Sequence, residues 1–142
     1  MESEKFRNLI NEDFELEKIY SGTIWAEGPT WIEDKNIIVW SDVKSNKMLS
    51  CNVETRLVTE FRYPSEFNNG NCTDASGRLI SCQHGKRRVV RLEENGDLTV
   101  IADNYNNKKL NSPNDVAVSL NGNIWFTDPP YGILTNQEGH KS

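Results

Sequence analysis

The chain has no apolar run approaching the roughly 20 residues that a membrane-spanning helix needs. It has three cysteines, Cys51, Cys72 and Cys82, an odd number without metal-ligand spacing. That argues against zinc and points to free thiols in a reducing cytoplasm. Positive charge is scarce: 16 Lys and Arg stand against 21 Asp and Glu, for a net charge of −5. The one dense basic run, Lys86-Arg87-Arg88, is short, so a nucleic-acid surface is not expected. No low-complexity tract or linker divides the 142 residues, which are expected to form one domain. The opening MESEKFRNLI has early acids and no long apolar core, unlike a secretory leader.

What is present centres on Asn111 to Gly132, NSPNDVAVSLNGNIWFTDPPYG. Polar, turn-forming Ser112-Pro113-Asn114-Asp115 opens a short apolar run from Val116. Asn121-Gly122-Asn123 is a hairpin turn, and the β-rich Ile124-Trp125-Phe126 ends at Asp128-Pro129-Pro130. The same layout recurs upstream, at Glu27 in EGPTWIEDKNIIVWSD and at Asn69 in NGNCTDASGRLISCQH. With Glu27, Asn69 and Asn114 in register, an apolar strand opens ten residues later each time, at Ile37, Leu79 and Ile124. The steps are 42 residues from 27 to 69 and 45 from 69 to 114. That is the period of a propeller blade, a four-stranded antiparallel sheet whose first strand lies nearest the central axis. The spacing places Glu27, Asn69 and Asn114 at one end of three neighbouring inner strands.

In chain order, residues 1–18 form a charged arm or short helix, with Phe6, Leu9, Ile10 and Phe14 at helix-like intervals, and residues 19–142 form the partial propeller. Ile19 to Trp25 reads as a strand leading to Glu27. Ile37 to Trp40 follows, then an outer hairpin of Lys47 to Asn52 and Arg56 to Phe61. Leu79 to Cys82 takes the inner place in the second repeat, followed by Arg88 to Leu92 and Leu98 to Ala102 about the Asn95-Gly96 turn. Trp25, Trp31, Trp40 and Trp125 read as core between blades. The expected class is all-β, nearly three adjacent blades.

EGPTW, LISCQHGKRRVVR and NSPNDVAVSLNGNIWFTDPPYGI, in this order and at blade spacing, resemble the gluconolactonase-like branch of the regucalcin (senescence marker protein) family, over about Ile24 to Ile133. The resemblance implies a six-bladed β-propeller, of which this chain would be the N-terminal half, with a divalent cation, usually calcium, on its axis. It implies hydrolysis of a sugar lactone such as gluconolactone; relatives in the wider group open other lactones or organophosphates. Carried over residue by residue, Glu27 matches the family's first carboxylate metal ligand, and Asn114 the amide near the metal that also contacts substrate. The family's later Asn ligand, and the Asp usually proposed as base or nucleophile, have no match before Ser142, so no catalytic base is assigned.

Calcium wants six to eight hard oxygen donors, and a Glu and an Asn facing a narrow axis are suitable ones. Each residue also has a plainer reading. Glu27 before Gly28-Pro29 is also what an exposed turn would carry, and Asn114 is also a turn cap. Asn69 is a third axial donor, on the substrate side, or a turn residue. Asp115 anchors its strand through backbone N–H groups. His84 and Arg87 bind a sugar acid's hydroxyls or carboxylate, or lie in a solvated loop. Asp128 ties the Pro129-Pro130 turn. Besides a small-molecule lactone, the expected partners are a second copy of the chain or a C-terminal half, with no nucleic acid and no membrane. The competing reading is a catalytically incomplete calcium-binding or assembly module, or an organophosphate or ester hydrolase of the same fold.

Overall fold

The computed structural model describes residues 15–136. Twelve strands appear among them, nearly all in antiparallel meanders. The first blade is β1 (Ala26–Ile32), β2 (Ile37–Asp42), β3 (Lys47–Asn52) and β4 (Val58–Arg62), hydrogen-bonded in sequence order. The second is β5 (Asn68–Thr73), β6 (Leu79–Gln83), β7 (Arg88–Leu92) and β8 (Leu98–Ala102), again in order. A two-stranded ribbon, β9 (Asn104–Tyr105) with β10 (Lys108–Lys109), leads to a third unit, β11 (Val116–Val118) paired with β12 (Ile124–Phe126). This is the all-β, partial propeller architecture that the repeat predicts. The second strands open at Ile37, Leu79 and Ile124, the three positions that the register selected.

The repeat extends to irregularities. β1 bulges between Glu27 and Thr30, and β5 between Asn68 and Asn71. The outer hairpins slip at matching places, between Met48 and Leu49 in β3 and between Val89 and Val90 in β7. A bulge re-aims the side chains beside it, and the inner-strand bulges fall on Glu27-Gly28 and Asn69-Gly70.

Alternation along β6 divides the core. Every residue of β6 is buried. Leu79 joins Ile32, Val39 and Met48 in a cluster between the first and second blades. Ile80 and Cys82, one residue out of phase, join Val89 and Val116 between the second blade and the third unit. A period of two sends alternate side chains to opposite faces, so one central strand serves two interfaces. Close to the axis the filling is polar. Ser41 Oγ donates to the Asn69 carbonyl at 2.7 Å and accepts from Asn68 Nδ2 at 2.9 Å. Asn71 Nδ2 donates to the Gly28 carbonyl at 2.9 Å, and Asn71 Oδ1 accepts from Ser81 Oγ at 2.7 Å.

The inner strands also touch backbone to backbone. A Cβ on Gly28, whose φ is +53°, would stand 2.5 Å from the Asn69 carbonyl oxygen. A Cβ on Gly70 would stand 2.5 Å from the Asn114 carbonyl oxygen, to which the Gly70 N–H donates at 2.7 Å. Only glycine permits that approach.

Three expectations need correction. Ile19 to Trp25 is not a strand; among the described residues no strand pairs with it, and the buried Asp42 carboxylate takes the Ile24 and Trp25 N–H groups instead. The inner strand of the second blade is β5, not Leu79 to Cys82. Its sequence, NNGNCT, has low strand propensity and is held by the polar network above. Three of the four tryptophans are not core: Trp125 is 66% exposed, and Trp25 and Trp31 are also exposed, while Trp40 is half-buried. The buried apolar side chains are mostly aliphatic. The arm or helix expected over 1–18 lies largely outside the described residues; 15–18 carry no regular structure.

Gly70→Ala should lower stability by more than about 2 kcal/mol, because its Cβ meets backbone that cannot yield without separating two blades. Gly96→Ala is the control. Gly96 has φ +89° but nothing within 4 Å of a Cβ, so only the conformational cost of about 1–2 kcal/mol applies. Urea unfolding of both variants checks the order; a Gly70 variant as stable as the Gly96 variant would contradict the packing argument.

Candidate active site

Glu27, Asn69 and Asn114 come from three successive inner strands or their approaches, and the glycine contacts bring them side by side. With His84 they line one cavity of about 480 Å³, which Trp25, Tyr131 and Leu134 also wall. A second cavity, about 420 Å³, abuts the same three residues from the side of Gly28, Gly70 and Asp115. A larger one, about 560 Å³, is mostly apolar and lies beside the 18–23 segment, Ile38 and Trp40; of the four polar residues it reaches only Glu27. The chemistry lies in the first two.

The four polar residues sit differently. Asn69 and His84 are almost wholly buried, and Glu27 and Asn114 are half-buried. Asn69 is held through its carbonyl, which accepts from Ser41 Oγ and from Asn71 Nδ2 at 3.1 Å. Asn114 is fixed by its backbone: its N–H donates to the Thr127 carbonyl at 2.9 Å and its carbonyl accepts from Gly70. Glu27 Oε1 accepts from the Trp25 indole Nε1 at 2.9 Å. His84 follows β6, where its N–H donates to the Phe67 carbonyl at 3.2 Å. A solvated loop is therefore the wrong description of His84: it is 1% exposed and forms part of the cavity wall.

Arg87 is not among the residues lining that cavity. It is half-buried, and its Nε donates to the Leu110 carbonyl at 2.6 Å, tying the second blade to the approach of the third unit. Asp115 Oδ1 accepts from the Val116 N–H at 2.9 Å, the strand-anchoring role expected of it. Asp128 ties a different place from the one expected: its Oδ2 accepts from the Asn111 N–H at 2.8 Å. The Pro129-Pro130 turn is held by Ser112, whose Oγ donates to the Pro129 carbonyl at 2.6 Å and accepts from the Gly132 N–H at 2.8 Å. That clamp carries Tyr131 to the cavity.

The donors suit a hard cation in kind: one carboxylate and two amides, with no thiol among the residues that line the cavity. Among the described residues no three His, Cys, Asp or Glu side chains cluster to hold a metal ion. The three cysteines are free. Burial, reinforced by the nearby Asp115 and Asp74 charges, pushes the Cys72 thiol up to about 11, which leaves it protonated and unreactive at neutral pH.

A sequence model of the SMP-30/gluconolactonase/LRE-like region matches residues 25–141. The chain belongs to that family. It is 31% identical over 145 residues to a gluconolactonase from Zymomonas mobilis, covering 92% of this chain and 40% of that protein. The solved structure of a gluconolactonase from Xanthomonas campestris superposes with a TM-score of 0.83 at 38% identity, covering 87% of this chain and 41% of the other. A second solved structure, provisionally described as a gluconolactonase, gives 0.91 at 36% identity over 98% of this chain and 48% of its own. The chain thus spans less than half the length of these relatives.

In this SMP-30/gluconolactonase chain the support behind Glu27 is a carboxylate that sequence reading passed over. Asp42 is fully buried at the end of β2. Its oxygens accept from the Trp25 N–H at 3.0 Å, the Ile24 N–H at 3.2 Å and Ser45 Oγ at 2.6 Å. Burial alone would raise its pKa. The Ser45 hydroxyl, the two backbone N–H groups and the Lys47 charge outweigh that and hold it below the ordinary 3.8. No sequence motif marks Asp42, since the two backbone N–H groups it accepts from lie seventeen and eighteen residues away. Among the described residues no helix is long and apolar enough to cross a membrane.

Because Asp42 is more acidic folded than unfolded, it adds stability in full above pH 3.8, and that gain is lost as pH falls through its folded value. Asp42→Asn should destabilise by about 1–3 kcal/mol at pH 7. The gap between wild type and variant should narrow below pH 3.8. Urea unfolding at pH 7 and pH 3 measures both; a gap that does not change with pH would remove the charge from the explanation.

Proposed function

We propose that the protein hydrolyses a sugar lactone of the gluconolactone type with the help of a divalent cation, calcium by donor chemistry. The observation that carries the reading is the convergence of Glu27, Asn69, His84 and Asn114 on one cavity, in a chain whose relatives include gluconolactonases. Glu27 and the Asn114 amide oxygen would hold the cation. When bound, it would supply Lewis-acid polarisation of the ester carbonyl and stabilise the oxyanion that develops. Asn69, His84 and Asn114 would hydrogen-bond the ring hydroxyls and carbonyl, while the aromatic rim shields the ring from water. Arg87, held on the Leu110 carbonyl, drops out of the substrate-binding set. A cytoplasmic location is part of the same reading and draws on the free thiols.

One observation favours a second reading, a module that binds calcium without turnover. Glu27 is the only carboxylate among the residues lining the 480 Å³ cavity, so no base is assigned there.

The test is base consumption with gluconolactone in a pH-stat, on the protein as its gene encodes it, with calcium and with chelator. Chelation should abolish turnover, and Glu27→Gln should lower kcat/KM by about 100-fold or more. Calcium binding without hydrolysis would select the second reading. Turnover that is indifferent to both chelator and Glu27→Gln would overturn the metal-dependent one.

A further inference from the structure

The tryptophan beside Glu27 has a placement that the proposed reaction does not by itself require. Trp25 Nε1 donates to Glu27 Oε1 at 2.9 Å, and both residues line the 480 Å³ cavity with Asn69, His84 and Asn114. Trp31 and Trp125 do not line it. The Trp25 backbone is fixed on both sides: its N–H donates to the buried Asp42 carboxylate, and its carbonyl accepts from the Val43 N–H at 3.1 Å. The Lys44 ammonium stands over the indole, 5.6 Å from the ring centroid, within cation–π range. An exposed side chain is thus held at its backbone, over its ring and at its ring nitrogen. The last bond ends on one oxygen of one carboxylate, and no hydrogen bond to Glu27 Oε2 occurs among the described residues.

We propose that Trp25 is a positioning residue for Glu27: its indole N–H holds Oε1 and fixes the carboxylate rotamer so that Oε2 is presented to a divalent cation. A half-buried glutamate otherwise samples several rotamers, and ordering it on binding costs free energy. A donor that orders it beforehand removes that cost, as partners behind metal ligands commonly do, with effects of about 10- to 100-fold in affinity. Asp42 is the remote end of this arrangement and acts through the Trp25 backbone. The inference rests on Glu27 being a cation ligand.

The experiment is calorimetric titration with calcium alone, at fixed pH, on the protein as its gene encodes it. Wild type, Trp25→Phe and Glu27→Gln are compared. Phenylalanine keeps the aromatic wall and removes only the donor. Trp25→Phe should weaken calcium binding by about 10-fold without changing the melting temperature measured in chelator, and Glu27→Gln should abolish binding. Wild-type binding by Trp25→Phe with none by Glu27→Gln would overturn the positioning role and leave the Glu27 reading intact. Wild-type binding by Glu27→Gln would overturn both. A second measurement does not depend on the variant being well folded. In wild type, the indole N–H resonance of Trp25 should shift on calcium addition, in saturable fashion, because its acceptor becomes a ligand. An indole resonance unmoved at saturating calcium would overturn the proposal.

Discussion

The structure depends on two places where backbone lies against backbone. Gly28 packs onto the Asn69-Gly70-Asn71 segment, and Gly70 onto Asn114-Asp115. Each contact places the residue before the glycine, or the amide opposite it, next to its counterpart in the neighbouring unit. A side chain at either glycine would wedge the inner strands apart and enlarge the axial space. The convergence of Glu27, Asn69 and Asn114 therefore follows from a missing Cβ as much as from any attraction among the three. The polar bonds of Ser41 and Asn71 then secure an approach that sterics has already made possible.

Much of this was legible because a repeat repeats its punctuation. The ten-residue step from Glu27, Asn69 and Asn114 marks where the second strands open, and the outer strands Lys47–Asn52, Arg88–Leu92 and Leu98–Ala102 coincide with the apolar runs that predict them. What was not legible lies where tertiary partners override local preference. NNGNCT does not look like a strand, yet it is the inner one, because its amides find Ser41, Ser81 and neighbouring carbonyls. Ile19 to Trp25 does look like a strand, yet Asp42 captures its backbone.

The side chains tell the same story. Large aromatics near strand starts read as core, but the space between blades is filled by Ile32, Val39, Met48, Ile80 and Val89. Trp25 is left at the cavity rim with its indole nitrogen engaged. His84 does sit in a turn, but not a solvated one: burial comes from the Glu66-Phe67 segment, whose carbonyls accept from the His84 and Gly85 N–H groups. The burial of His84 is thus encoded seventeen residues upstream, not in its own neighbourhood.

The cavity also joins three units of the chain. Glu27 stands on the first blade, Asn69 on the second, and Asn114 just before β11. A ligand that bridges Glu27 and Asn114 ties the first unit to the third across the second, so opening either one must break a contact to it. Amide exchange follows local opening, and slower exchange at Val116 to Val118 would report occupancy through the strand that Asn114 leads into.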